Sequence, residues 1–530
     1  MNQIDLPEGP FFLPPISFPT GGVDFLGLRQ TNLDMMSACI PAINNVTWFV
    51  RPYALVAWIF WKFHALCHEQ DLDEPTDAQM KIFMEKIEIM FTWGAMLENA
   101  GAAIPGKGSK LPPTKDGWVP LTFSAWKRTA RNTSLMAPVT YGPSSKTHGG
   151  FGFLESVRSG FFRPSGPGVA MAEALDEVLS KAPDDCRSII QNMRAVKGSE
   201  AQARSLWKLW SVFRPTKREK RAFRSAFASD DAVGDYSSGF GCRSSMAELI
   251  REVLHQAGTP MDVDEIRRAL VHGQLDDGRN LSIAPSLVLA RLRWAVLQFR
   301  QLQRLALEAI MAWVERRVRD DGDGDSDRMV QAGLGALKKG GIVAADATFG
   351  DLIDRLGEQV SDAEELLAAG AINEELSLFA VIEALRKALR SGKGKAIVAH
   401  AFHGLALVVV AVDRLSELSA IVHELRAGGP RRLSLHDMNR RLREMKSQSM
   451  GDVLRYVLET MVLSQHFSTA VNRYDGQTQR LRLTLEEDGL VMLATKSWRP
   501  ELSADRLAVC LSLMSDCGMI RWNHDNKYSA

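Results

Sequence analysis

The chain has 530 residues, 45% of them hydrophobic and 24% charged, which is too long for one core and predicts several domains. A net charge of +1 excludes a polyanion binder that uses its whole surface, so any nucleic-acid contact must be local. Six scattered cysteines (Cys39, Cys67, Cys186, Cys242, Cys510, Cys517) contain no Cys-x-x-Cys pair and fit a reducing cytoplasm, with thiols buried as small apolar groups.

The first predicted domain covers residues 1–115. It opens with "MNQIDLPEGPFFLPPISFPTGG", whose prolines predict an extended arm and which lacks the basic-then-apolar pattern of a secretory signal. "VTWFVRPYALVAWIFWKFHALC" is the most apolar stretch. Arg51 and Lys62 interrupt it, which predicts a buried helix rather than a membrane span, and Arg51-Pro52 marks a helix start. Residues 52–68 and 76–99 read as two helices, the second with Ile82, Ile87, Met90 and Met96 near one face. "GAAIPGKGSKLPPTKDGW" then breaks the pattern as a loop or boundary.

A second module is expected over 116–185. In "GFFRPSGPGVAMAEAL", Phe161 and Phe162 end a strand, Ser165 or Gly166 caps a helix, and Pro167 occupies its first turn, where no amide donor is needed. Val169, Ala172, Leu175 and Leu179 form that helix's apolar face. Segment 186–240 is basic and aromatic: between 187 and 224, eleven Lys or Arg stand against Glu200 and Glu219. Region 241–320 predicts a helix–turn–helix, broken at Gly258 and Pro260 and restarted at Asp262, and then one long helix over 286–319. A linker at 321–345 contains "DDGDGDSD", and helices fill 346–428. In 429–530, "SLHDMNRRLREM" and "SMGDVLRYVLETMVLSQHFSTAV" are helices. A hairpin turns at Asp488-Gly489, a helix runs from a Ser503 cap to Gly518, and a short strand pair ends the chain.

The passage from a hairpin through a polar turn into an alanine-rich helix, near 119–180 and again within 431–530, resembles winged-helix domains. The resemblance implies a mainly α, multidomain protein with small β hairpins, and modules that contact DNA or protein. In overall make-up the chain also resembles the large, motif-poor accessory proteins of bacterial restriction and anti-phage defence systems.

Motifs for chemistry fail on detail. Gly101 to Lys107 matches the start of a phosphate loop, but Gly108 stands where Ser or Thr should hold magnesium. "GLGALKKG" at 333–340 lacks dinucleotide-loop spacing. Asp321, Asp323 and Asp325 alternate as in a calcium loop, yet Ser326 and Ala332 occupy the discriminating positions. His64, Cys67 and His68, at i, i+3 and i+4, are the best metal candidates but lack an evident fourth ligand. Glu486, Glu487 and Asp488 are turn carboxylates rather than a nuclease centre, and no nucleophile elbow occurs. No catalytic residue, cofactor or metal is therefore expected.

The basic segment carries the functional expectation. Arg204, Lys208, Arg214, Lys217, Arg218, Lys220, Arg221 and Arg224, with Arg440, Arg441 and Arg443 in the last domain, are candidate phosphate contacts. Trp207, Trp210 and Phe213 are candidates to stack on bases, although the i, i+3 tryptophan spacing equally fits a core face. The expected function is a non-enzymatic, cytoplasmic, DNA-associated subunit of a larger complex, with other protein subunits as partners and no membrane contact. The alternative is an interaction scaffold for a partner ATPase or nuclease without direct DNA contact.

Overall fold

A computed structural model describes residues 24–72, 74–99, 104–112, 116–158, 160–342, 347–474, 480–523 and 525–530. The extended arm expected at the N-terminus lies outside the described residues, as do parts of the loop after residue 99 and of the linker around 345. The fold is mainly α, with strands only in small two-stranded sheets.

The chain begins with α1 (Arg29–Cys39), α2 (Arg51–Glu69) and α3 (Asp77–Leu97). Next come β1 (Trp118–Pro120), α4 (Tyr141–Ser145), β2 (Leu154–Arg158), β3 (Phe161–Pro164), α5 (Gly166–Leu179) and α6 (Asp184–Ile190). Then follow β4 (Lys197–Ser199), α7 (Glu200–Trp210), α8 (Lys217–Phe227), α9 (Gly239–Ala257), α10 (Val263–His272) and the long α11 (Val288–Asp320). Six helices succeed it: α12 (Ser326–Lys339), α13 (Phe349–Gly357), α14 (Ala363–Ala369), α15 (Leu378–Ser391), α16 (Gly394–Ser416) and α17 (Val422–Leu425). The chain ends with α18 (Leu435–Glu444), α19 (Met450–Tyr456), a π-helical run Val457–Ser464, α20 (Gln465–Asn472), β5 (Leu483–Glu486), β6 (Gly489–Met492), α21 (Leu507–Asp516), β7 (Arg521–Trp522) and β8 (Tyr528–Ser529).

Two compact units account for the chain, each drawn from discontinuous segments: Met36–Trp294 with Ala504–Ala530, and Met1–Met35 with Ala295–Ser503.

In the first unit, α2 is buried along most of its length and packs on α5, while α3 packs on α7. Gly94 permits the second crossing: a Cβ there would sit 2.7 Å from Trp207 Cβ. Likewise Gly168, in the first turn of α5, lies so close to Phe153 O that any side chain would collide with it. Tyr53, Tyr141, Phe151, Phe153, Phe223 and Phe227 form an aromatic core with ring centroids 4.8–5.8 Å apart. Arg243 sits over Phe151 at 4.6 Å and donates to Phe227 O (2.6 Å) and Ala226 O (2.8 Å), the last carbonyls of α8. Hairpin β2–β3 runs into α5 as expected, whereas β1 pairs with the distant β4 instead of joining that hairpin.

In the second unit, α16 packs against α12, α13, α15 and α18. Among the described residues it is the one helix long and apolar enough to cross a membrane, and most of it is buried within the protein. The Ala295–Glu315 part of α11 is buried nearly all round, polar positions included. Arg300 donates to Leu433 O and to Arg432 O (2.8 Å), and Arg304 pairs with Glu308 at 2.9 Å and donates to Glu501 O at 2.6 Å. Burial pushes the Glu308 carboxyl up to about 7 and the Arg300 guanidinium down to about 9.

The structure departs from the sequence reading at three elements. The last hairpin turns at Glu487-Asp488, one residue earlier than expected, and Gly489 (φ +113) begins β6. A Cβ on Gly489 would lie 2.6 Å from Gly324 O, and Leu490 N donates to that same oxygen at 2.9 Å, so the glycine serves a backbone approach rather than the turn. Ser503 does not cap α21. Its amide donates to Gln301 Oε1 (3.2 Å), and the helix starts after Arg506, which is left-handed (φ +68), with Asp505 accepting from Leu507 N. The third departure is the π-helical run, which interrupts the single helix expected over 450–471.

Candidate nucleic-acid interface

Local sequence explains why the basic segment becomes two helices. Ser199 and Gln202 form a capping box that starts α7, and Thr216 and Glu219 form one that starts α8. The loop between them ends α7 at Ser211, whose backbone is extended.

Along α8, Glu219, Ala222, Phe223, Ala226 and Phe227 turn inward, and Lys217, Arg218, Arg221 and Arg224 turn outward. The inward Glu219 is the anchor. It and Arg51 are both wholly buried, with Arg51 Nε 2.7 Å from Glu219 Oε1 and Nη2 donating to Oε2 at 3.0 Å. Arg51 also donates to Leu209 O (2.8 Å) and to Arg214 O, so one guanidinium gathers the end of α7, the connecting loop and the start of α8. Burial lowers the Arg51 pKa from its ordinary value, and the Glu219 charge opposes that shift. Close by, Asp516 accepts from Val50 N at 2.7 Å, and burial raises its carboxyl to about 6 against the field of Lys220 and Arg51.

The predicted phosphate contacts divide into two groups. Arg204 pairs with Glu98 and Glu200, both at 2.8 Å. Arg218 pairs with Glu177 at 2.8 Å and lies 3.7 Å from Glu173. Arg224 donates to Cys517 O (2.8 Å) and Gly518 O (2.9 Å) at the end of α21, so it acts as a helix cap. In α18, Arg440 pairs with Glu444 at 2.7 Å and Arg443 pairs with Asp413. Lys208, Arg214, Lys217, Lys220, Arg221 and Arg441 make no ion pair among the described residues, and Lys217 and Arg221 stand at i, i+4 on the outer face of α8.

The expected stacking platform is corrected in two of its three members. Trp207 and Trp210 are 5% and 0% exposed and pack against Phe91, with centroids 5.5 and 6.1 Å away, so no indole face is open to a base. The i, i+3 spacing put both on the apolar side of α7, where α3 covers them. Phe213 alone is open, 57% exposed, with its ring edge-on to Phe49 at 5.7 Å.

His64, Cys67 and His68 are not gathered into a metal site. His64 Nε2 hydrogen-bonds with Phe162 O at 2.9 Å, Cys67 Sγ lies 3.8 Å from Met193 Sδ, and His68 is exposed at the end of α2. Among the described residues no cluster of three His, Cys, Asp or Glu is arranged to hold a metal. In the calcium-like stretch, Asp321 and Asp323 pair with Arg317, while Asp325 caps α12 by accepting from Arg328 N.

Sequence reasoning missed Arg51 and Glu219 as the residues that position α8. The Thr-x-x-Glu capping box at 216–219 was the readable signal for the second of them. Comparison of the chain with protein-family models, with curated proteins and with solved structures found no match.

Proposed function

We propose that this chain is a non-enzymatic subunit that touches duplex DNA through the sugar-phosphate backbone, using the outer face of α8 and its flanks. The observation that carries this reading is the set of cations at Lys208, Arg214, Lys217, Lys220 and Arg221, none of which makes an ion pair among the described residues, beside Arg204, Arg218 and Arg224, which are held by carboxylates or carbonyls. Phosphate neutralisation of this kind is salt-dependent and blind to sequence. Burial of Trp207 and Trp210 removes base stacking from the reading, apart from Phe213. The finer parts of the proposal are a cytoplasmic site of action, membership of a defence-type complex, and winged-helix character for the hairpins β2–β3 and β5–β6.

The test is duplex binding over a salt series for the wild type and for Lys217→Ala/Arg221→Ala. Both side chains are exposed, so folding is expected to survive. Each lost phosphate contact should flatten the dependence of log affinity on log salt by about 0.9, giving roughly 1.8 for the pair. An unchanged slope removes α8 from the interface.

The scaffold reading is favoured by a different observation. Arg204, Arg218, Arg440 and Arg443 already have carboxylate partners, which lowers the charge available to a polyanion. It predicts stable co-purification with a partner ATPase or nuclease and no salt-sensitive DNA binding by the purified chain.

A further inference from the structure

An open groove of about 910 Å³ lies between the helical run Val457–Asn472 and the hairpin β5–β6. One wall is a row at i, i+4 and i+8, namely Leu463, Phe467 and Val471, which spans roughly 12 Å at about 1.5 Å per residue. Leu485 and Leu490 of the hairpin face it across the groove. Val471 and Leu485 are each 69% exposed, a degree of exposure that single-chain packing does not require of a valine and a leucine lining one groove. The rim is acidic. Asp325, Glu459, Glu487 and Asp488 line the groove and no Lys, Arg or His does. Glu459 is partly compensated by Arg455 at 3.3 Å, whereas Glu487 and Asp488 at the hairpin tip have no ion-pair partner among the described residues. The wall begins in the π-helical run, a rare geometry that recurs at functional sites.

We propose that this groove seats a basic amphipathic helix of a partner protein, with apolar anchors one turn apart between the leucine-rich walls and Lys or Arg against the rim. Two turns of such a helix match the row Leu463, Phe467, Val471 in length. Charge selects the class of occupant: four carboxylates, of which only Glu459 is ion-paired among the described residues, line a groove with no lining cation, and so repel the phosphates of nucleic acid and of anionic lipid alike and attract a cationic peptide. The proposal stands apart from the α8 reading, since none of the α8 cations lines the groove.

The probe is a fluorescent 18-residue Leu/Lys peptide with helical apolar periodicity, titrated with the full chain and followed by anisotropy. Two control peptides accompany it: one with every Lys replaced by Glu, and one interrupted by proline. Saturable binding of the Leu/Lys peptide is expected, at least tenfold tighter than either control and weakening as salt rises. Glu487→Lys/Asp488→Lys should weaken the Leu/Lys peptide at least tenfold and favour the Leu/Glu one. Val471→Ser and Leu485→Ser, each at an exposed position and checked for an unchanged melting curve, should each weaken it severalfold. Equal binding by the wild type and these variants overturns the proposal, as does equal binding of the proline-interrupted peptide. So would a photo-cross-linker at Val471 that, without peptide, captures residues 1–23 of the same chain or a second copy, because the groove would then be filled by this protein itself.

Discussion

Lys86 shows how strongly single residues of this chain depend on the distribution of buried charge. Its side chain is wholly buried on α3, donates to Arg194 O at 3.4 Å and lies 5.0 Å from the Phe83 ring, with no carboxylate partner among the described residues. Burial lowers its pKa from the ordinary lysine value of 10.5 to about 7. The sign follows from linkage. Between about 7 and 10.5 the unfolded chain holds a proton that the folded chain does not, so this residue destabilises the fold increasingly as pH falls through that window, and fully below 7. Lys86→Met keeps the volume and removes the charge. It should stabilise the protein by on the order of a few kcal/mol at pH 6 and lose more than half of that gain by pH 9. Urea unfolding at the two pH values measures it. A gain independent of pH would mean that Lys86 keeps its proton in the folded state across this pH range, as it does in the unfolded chain.

At the scale of elements, the placement of α8 rests on one buried pair. Glu219→Gln keeps the shape and much of the capping box but leaves the Arg51 charge buried without a counter-charge. Breaking such a pair costs about 3–5 kcal/mol, against about 1 kcal/mol for Thr216→Ala, which removes only a cap. Adding Arg51→Met to Glu219→Gln should restore part of the loss, because it is the orphaned charge that is costly. Additive losses in the double variant would show that the two residues act independently. The helices were largely legible in the sequence, since 3.6-residue periodicity and Ser, Thr and Asp caps report local physics: α2, α3, α5, α9, α10 and α11 begin and end within a few residues of expectation. What failed was decided by distant partners. Gly489 reads as a turn glycine until Gly324 is laid against it, and Ser503 reads as a cap until Gln301 accepts its amide. A π-helical run keeps the same apolar spacing as its α-helical neighbours, so composition cannot reveal it. The candidate site divides the same way. Its cations were visible as a cluster, but which of them are free depends on carboxylates and carbonyls 41, 106 and 293 residues away for Arg218, Arg204 and Arg224.

At the scale of the whole molecule, the discontinuity of both compact units has a thermodynamic consequence. Each has its own buried core: the aromatic cluster around Tyr53 and Phe223 in one, and α16 with the polar-lined Ala295–Glu315 stretch of α11 in the other. A chain with two cores satisfies the conditions under which a single two-state transition fails, so the calorimetric enthalpy of unfolding should exceed the van't Hoff enthalpy. Local substitutions can assign the transitions. Arg304→Ala strands the buried Glu308 carboxyl, which burial already holds near 7, and should lower one transition. Glu219→Gln should lower the other, by several degrees in each case. If both substitutions shift one common transition by the same amount, and the two enthalpies agree, the cores melt as a single cooperative body, and neither variant reports on its own unit.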